Sequence, residues 1–575
     1  MLYDYDSHTL ADIAVRGALL FHSLPALGMA DAKAISYLEL ERLSRQGAAR
    51  LQALGVAKGD RVLLLSENRP EWGIASFSIA RAGAVAVPVL TDFSEAQVLA
   101  IAAHAGAKLA IVSAKQAKKL SSAALRLIAI EELSTPTADA AIAERSEAFA
   151  SPPISPGDLA AIVYTSGTTG TPKGVMLSHR NYLADALACR SVIVLSPRDT
   201  LLSILPLAHA YEYTIGFLIP MMSGASIRYL DRPPSASALL PALATVRPTI
   251  VLSVPLVIEK VYKSGVKPGL EGIALYRFPL LRPLLERLAG AKLKRSFGGR
   301  LRFFGIGGAP LDPEVERFLI AARFPYAIGY GLTETAPIIA ASAVGKTKLR
   351  AAGPALEGAD IKLAEQKPAA EDPSLMVGEL RVRGPMVFSG YYKDDERTAE
   401  AFDEEGYFRT GDLGFKDDKG RFHLRGRSKN MILGPAGENI YPEELEALLN
   451  RSPYVAESLV YADVEGLGAL VQLKPELLEE LGACAQDGLA GAERLASRWG
   501  KAAGEALQGA VSQLGQAGKA AEQAAQRILE LVRKEANAKL ASFSRISRVA
   551  AQDGPFEKTP TQKIKRYLYP KTSRP

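Results

Sequence analysis

Cysteine is nearly absent from this chain: two occur in 575 residues, Cys189 and Cys484, without metal-ligand spacing. That argues against a disulfide framework or a cysteine zinc site, and makes a reducing compartment the default expectation. Long apolar runs are missing too. No stretch reaches the ~18 uninterrupted apolar residues of a membrane-crossing helix, so no span is expected. The first residues, Met1 to Leu10, are mixed and acidic rather than basic and then apolar, so no secretory leader is expected either. What remains is a composition of 48% hydrophobic and 23% charged residues, the profile of a globular protein with substantial cores. A chain this long is expected to form at least two domains. The net charge of +7 suits anionic ligands such as nucleotides, CoA or an anionic lipid surface, and selects none of them.

Short runs rich in Val, Ile and Leu recur at Arg61-Leu65, Val85-Leu90, Leu109-Ser113, Leu159-Tyr164, Leu201-Leu205, Thr249-Val254 and Leu301-Ile306. Helical spacing separates several of them, which predicts α/β layers with buried strands. From about Gly378 the texture changes to alternating strands and tight turns, the pattern of a small β-rich subdomain. Arg425-Gly-Arg-Ser-Lys-Asn430 reads as a linker. Beyond it the pattern is α+β, with Pro442-Leu449 as helix and Tyr454-Tyr461 and Ala469-Leu473 as strands. The expected domains are therefore residues 1–428 and 429–575.

The most informative string is Tyr164-Thr-Ser-Gly-Thr-Thr-Gly-Thr-Pro-Lys-Gly174. From Thr165 to Thr171 every side chain is a hydroxyl or absent. Such a loop after a buried strand offers N–H and O–H donors to phosphate oxygens, and Lys173 adds a mobile charge. The Walker pattern is not present.

This string resembles the phosphate-binding signature of the adenylate-forming superfamily, which includes acyl-CoA synthetases, peptide-synthetase adenylation domains and luciferases. Further signatures follow in order. Leu205-Pro-Leu-Ala-His-Ala210 resembles the block that puts a ring at the carboxylate site, and Gly307-Gly-Ala-Pro-Leu311 the adenine-pocket turn. Tyr330-Gly-Leu-Thr-Glu-Thr335 resembles the nucleotide and magnesium motif, and Tyr407-Phe-Arg-Thr-Gly-Asp-Leu413 the ribose block. Gly426-Arg-Ser-Lys429 is similar to the interdomain hinge, and Thr559-Pro-Thr-Gln-Lys563 to the motif around a C-terminal catalytic lysine.

The resemblance implies roles. Thr165, Ser166, Gly167, Thr168, Thr169, Gly170 and Lys173 are expected around the phosphates, with Gly308 and Ala309 at the adenine and Gly331 also at the nucleotide. Tyr330 would stack on adenine and Thr333 would contact the α-phosphate. Thr168 and Glu334 would hold Mg²⁺, an ion that keeps waters and phosphates beside a few protein oxygens. Asp412 would accept from both ribose hydroxyls, and Arg427 would steady ribose or phosphate. His209 would stand at the carboxylate, and Lys563 would bridge carboxylate and α-phosphate. Lys429 would be the pivot. Attack of a carboxylate on the α-phosphate of ATP brings like charges together, so such a site works by positioning and neutralisation. Two positions depart from the family pattern: Gln562 before the lysine and Asn430 after the pivot.

Ser66-Glu-Asn-Arg-Pro-Glu-Trp72 and Pro255-Leu-Val-Ile-Glu-Lys-Val-Tyr262 look most like the long-chain fatty acid branch. The implied activity is ATP-dependent conversion of a fatty acid to acyl-AMP and transfer to CoA. A carrier-protein thiol as acceptor, or a non-catalytic lipid-binding relative, stays open. Candidates to line an acyl tunnel are Tyr211, Tyr213, Ile215, Phe217, Val254 and Phe304, each equally well read as core. No nucleic acid partner is expected, and the expected location is cytoplasmic.

Two stretches stand apart. Residues 485–541 are rich in Ala, Gln, Gly and Glu. They carry a stripe of Leu507, Val511, Leu514, Gly518, Ala521, Ala525, Ile528 and Val532, spaced by fours and threes. This reads as a long surface helix or hairpin inserted in the C-terminal domain, or as a partner-binding coiled coil. Gly269-Arg302 combines leucines with eight Lys and Arg against two Glu. Pro279 and Pro283 interrupt it, so a helix is expected from near Pro283. It is either an ordinary surface helix or one that lies peripherally on an anionic membrane.

Overall fold

Buried apolar runs become strands here, because a backbone without water must find its partners in a sheet. The computed structural model describes residues 3–134, 144, 146–165, 173–232, 234–369, 372–433, 439–463, 466–514, 517–558 and 564–569. Two compact units divide the chain. One comprises Met1–Lys362, Arg381–Thr410 and Lys416–His423, the other Leu363–Leu380, Gly411–Phe415 and Leu424–Pro575.

The larger unit holds two mostly parallel sheets. In the first the strand order is Ile338–Ser342, Tyr326–Gly331, Phe303–Ile306, Ile250–Ser253, Thr200–Ser203, Ser226–Tyr229, Pro25–Met29 and Ile35–Ser36. The six inner strands run parallel and the outermost two are antiparallel to their neighbours. The second sheet runs Gly390–Tyr391, Lys173–Ser178, Leu159–Thr165, Val85–Pro88, Arg61–Leu65, Leu109–Val112 and Arg126–Ala129. All seven runs read as strands from the sequence appear, shifted by a residue or two at their ends.

Parallel strands send their following loops off one edge, which is where ligands bind in open α/β sheets. At that edge of the first sheet lie the loops after Ser203, Ser253, Ile306 and Gly331. Three of the sequence signatures sit in them.

The smaller unit contains helix Pro442–Leu449 and strands Val455–Asp463 and Gly466–Leu473, as the sequence predicts. Strand Ile546–Ala551 pairs parallel with the second of these. Residues 485–541 are not one long helix or a simple hairpin. They form Gly488–Trp499, Lys501–Leu514 and Ala517–Asn537, after helix Pro475–Gln486. Gly500 breaks the first pair in the left-handed region, at φ 94°. The stripe is spent inside this unit: Leu507, Ile528 and Val532 are buried with Leu477, Leu481 and Leu495. Small residues serve close helix approach. A Cβ at Gly504 would fall 2.5 Å from the Ala496 methyl, and one at Gly491 would fall 1.9 Å from the Cys484 carbonyl oxygen.

The linker reading of Arg425 to Asn430 needs correction. Arg425–Arg427 close strand Arg421–Arg427, and only Ser428–Asn430 turn as a short 3₁₀ segment. Two of its charges are committed: Arg425 pairs with Glu444 at 2.9 Å, and Arg427 with Asp412 at 2.7 Å. The basic stretch does become helical near Pro283, as Arg282–Ser296 with Pro283 in its first turn.

Candidate active site

The loop after strand Thr200–Ser203 carries His209. Asn68, from the Ser66–Trp72 block, fixes that loop from the side. Its amide donates to Ser203 Oγ at 3.0 Å and to the Leu205 carbonyl at 2.6 Å, and its oxygen accepts from the Leu207 N–H at 2.8 Å. His209 is half-buried, and its Nδ1 accepts from the Tyr211 N–H at 3.2 Å. That contact leaves Nε2 as the protonated nitrogen of the neutral ring. Tyr211 then packs on the end of strand Phe303–Ile306. A Cβ on Gly305 would meet its hydroxyl at 2.8 Å and one on Gly307 would stand 3.2 Å from its ring, so glycine at both lets the ring lie close against the strand end. Gly308 and Ala309 follow in an exposed turn, Gly308 with φ of 89°.

Tyr330, Gly331, Thr333 and Glu334 lie at the end of the neighbouring strand Tyr326–Gly331 and in the turn after it. A Cβ on Gly331 would stand 1.7 Å from the Pro337 carbonyl oxygen, so the chain can double back only with glycine there. The Glu334 backbone is clamped by the Phe388 N–H, 2.8 Å from its carbonyl. Its side chain is 10% exposed and gathers two partners. Lys173 Nζ lies 3.1 Å from Oε1, and the Tyr391 hydroxyl donates to the same oxygen at 3.0 Å. The Lys173 ammonium also sits 4.1 Å from the centroid of the Tyr391 ring. Burial, and after it the Glu334 carboxylate, hold the Tyr391 phenol well above its usual range, so it stays a donor.

The second sheet explains this meeting. Lys173 opens a strand antiparallel to Leu159–Thr165, opposite Thr165, and Tyr391 pairs with Val175 on its other side. Thr165 and Lys173 thus mark the two ends of the phosphate-loop signature. Ser166, Gly167, Thr168, Thr169 and Gly170 lie outside the described residues, as does Lys563. Tyr391 was missed by sequence reasoning. No charge or motif singles out Tyr391-Tyr392, and only strand pairing brings Tyr391 to Glu334.

In the smaller unit, buried Asp412 accepts from Arg427 Nε at 2.7 Å, and Gly411 donates its N–H to Glu379 at 3.0 Å. Lys429 is exposed in the short turn beyond.

Among the described residues no cluster of three or more His, Cys, Asp and Glu could hold a metal. Of the two expected Mg²⁺ ligands, Glu334 is the one among the described residues, and it fits the needs of that ion. It is a hard oxygen donor in a shielded place, and its carboxylate already accommodates one cation, the Lys173 ammonium. An ion so held takes its remaining ligands from phosphate and water.

One buried acid was not anticipated. Glu212, three residues after His209, accepts from the Ser203 hydroxyl at 2.5 Å through Oε1, and Oε2 meets no partner among the described residues. Complete burial pushes its carboxyl up to about 8. Of the tunnel candidates, Tyr213 borders a small cavity with Trp72, Ser76 and Tyr182. Phe304 packs among Phe297 and Phe324, and Phe217 against Phe77, so both are core.

A family model described as AMP-binding enzyme matches residues 17–392. The chain belongs to that family. It is 32% identical over 476 residues to long-chain-fatty-acid–CoA ligase FadD15 of Mycobacterium bovis, covering 76% of each chain. It is 30% identical over 469 residues to the peroxisomal long chain acyl-CoA synthetase 7 of Arabidopsis thaliana, covering 74% of this chain and 66% of that one. Among solved structures, ATP-bound MatB of Rhodopseudomonas palustris superposes with a TM-score of 0.72 at 23% identity, over 97% of this chain and 98% of that one. That last likeness bears on the fold.

Proposed function

We propose that the protein is an AMP-forming acid–thiol ligase that activates a long-chain fatty acid with ATP and transfers the acyl group to CoA. The observation that carries this reading is the similarity to FadD15 over three quarters of both chains, in a chain that keeps every signature block in order. A carboxylate oxygen of the acid attacks the α-phosphorus of ATP. A bond forms between that oxygen and the α-phosphorus, giving the mixed anhydride acyl-AMP, and the bond from the α-phosphorus to pyrophosphate breaks. The CoA thiolate then attacks the acyl carbonyl carbon and AMP leaves.

In the first step Lys173 and the hydroxyl-rich loop from Thr165 to Gly170 neutralise phosphate charge. Mg²⁺, held by Glu334 and Thr168, would supply further neutralisation when bound. His209 stands at the carboxylate and presents Nε2–H. Tyr330, Gly308 and Ala309 bind the base, Gly331 lies beside the nucleotide, and Thr333 touches the α-phosphate. Asp412 accepts from the ribose hydroxyls and Arg427 holds it in place. Lys563 supplies the charge shared by carboxylate and α-phosphate oxygens. Residues 429–575 act as the mobile domain, with 485–541 as its helical insertion, and Lys429 as its pivot.

No helix among the described residues is long and apolar enough to cross a membrane. We read the protein as working in the cytoplasm, peripherally at a membrane face. The test is a panel of C6 to C18 acids assayed for AMP release with and without CoA. Release that rises with chain length and requires CoA supports the reading. Release only with a carrier protein would move the acceptor, and none with any acid would end the proposal.

A further inference from the structure

Seven of the exposed large apolar side chains among the described residues fall between Ile273 and Leu288. Such clustering is unusual on a surface where apolar residues are normally scattered singly. Helix Arg282–Ser296 has two faces. Inward, Leu285, Ala289 and Leu293 pack into the larger unit's core, and Gly290 sits so close that a Cβ would fall 2.6 Å from the Ala322 methyl. Outward, Leu281, Leu284 and Leu288 follow each other at helical spacing, the last two 57% and 59% exposed. The chain entering this helix adds Phe278 at 59% and Leu280 at 95% exposure. Leu280 is a leucine held almost wholly in water at the tip of a turn.

The rim of this apolar ridge is basic. Arg277, Arg287, Lys292 and Arg295 are exposed around it. Glu286, one of the two acids in the stretch, accepts from the Tyr276 hydroxyl at 3.0 Å. Arg302, although counted with the stretch in the sequence, pairs with Asp199 at 2.6 Å and does not belong to the rim. Apolar centre and cationic rim together match one kind of surface, an anionic phospholipid bilayer. There acyl chains receive the leucines and headgroups receive the guanidinium and ammonium groups. A second copy of this chain fits less well, because docking ridge to ridge would bring two rims of the same sign together.

We propose that Leu275 to Arg295 form the face by which this protein docks on anionic membranes, with Phe278 and Leu280 inserted at the headgroup boundary. The proposal rests on the fatty-acid reading above, because a bilayer is where such an acid partitions. Its test needs no turnover, so the two can fail separately. Purified protein is sedimented at low salt with phosphatidylcholine vesicles, with and without phosphatidylglycerol. Binding only to the anionic vesicles, reversed by ~0.5 M salt, is expected. The triple variant Arg287→Ala, Lys292→Ala and Arg295→Ala should lower partitioning about 100-fold, at roughly fivefold per charge. Phe278→Ser with Leu280→Ser should lower it as well. All these positions are exposed, so the melting temperature should not change, and conversion of octanoate should stay within about twofold. The proposal is overturned if wild-type protein ignores anionic vesicles at low salt. It is equally overturned if the serine variant binds vesicles unchanged while its mass in solution falls, which would make the ridge a contact between copies.

Discussion

Lys173 and Glu334, 161 residues apart, meet with Nζ 3.1 Å from Oε1, and the Tyr391 hydroxyl shares that oxygen. In the proposed mechanism the ammonium would exchange this carboxylate for phosphate oxygens. Glu334→Gln keeps the shape and loses the charge. Pyrophosphate exchange into ATP is expected to fall by about two to three orders of magnitude, the size of losing one preorganised charged group. Tyr391→Phe removes one hydrogen bond to a charged group, so a loss of about tenfold is expected. Equal losses in the two variants would mean that Tyr391 does more than hold Glu334.

Lys563→Ala should reduce adenylate formation by about two to three orders of magnitude. Transfer of the acyl group from preformed acyl-adenylate to CoA should change little. The two half-reactions are measured separately on one preparation. Retention of more than about a third of the adenylation rate would remove Lys563 from the mechanism.

The pivot can be tested by stiffening it. Lys429 lies in the turn Ser428–Asn430, whose last residue donates its amide to Glu443 at 2.6 Å. Proline at 429 would fix φ near −65° and restrict Ser428 before it. A hinge concentrates its change of φ and ψ in a few residues. With Lys429→Pro, adenylation should survive within severalfold, while transfer to CoA should fall by at least ten times more. Equal loss in both steps would mean that Lys429 is an ordinary loop residue.

Glu212 gives a pH prediction. Its folded carboxyl titrates near 8, against about 4.5 for an unhindered one. Between those values the folded state holds a proton that the unfolded chain has released. Stability from this group therefore falls as pH rises from 4.5 to 8, by up to about 1.4 kcal/mol per pH unit. Glu212→Gln, neutral at every pH, should lose that slope. The variant's melting temperature relative to wild type should rise steadily from pH 5 to pH 8. A constant difference over that range would show that Glu212 does not titrate there.

The strands of both sheets were legible because a buried parallel strand is written as one continuous apolar run, such as Val62-Leu-Leu-Leu65. So were the signature blocks, because a loop that binds phosphate or turns under a nucleotide needs glycine and hydroxyls at fixed spacing. Residues 485–541 were less so. Their stripe reads equally well as one helix or several, since a spacing does not say that Lys501–Leu514 and Ala517–Asn537 are separate helices. The linker reading of Arg425 to Asn430 failed for a related reason. A charged side chain looks the same whether it is solvated or paired, and Arg427 is paired with Asp412.

The sequence by itself determined the family, the order of its motifs and the kind of chemistry, because those depend on residue type and local spacing. Tertiary structure alone decided which side chains meet. Tyr391 joins Glu334 and Lys173 only because strand Gly390–Tyr391 pairs with Lys173–Ser178, and Glu212 holds its proton only because the fold removes it from water. It also decided that Leu275, Leu280, Leu281, Leu284 and Leu288 face solvent while Leu285 packs inward, since helical spacing gives a face to every third or fourth residue but does not say which face the core will take.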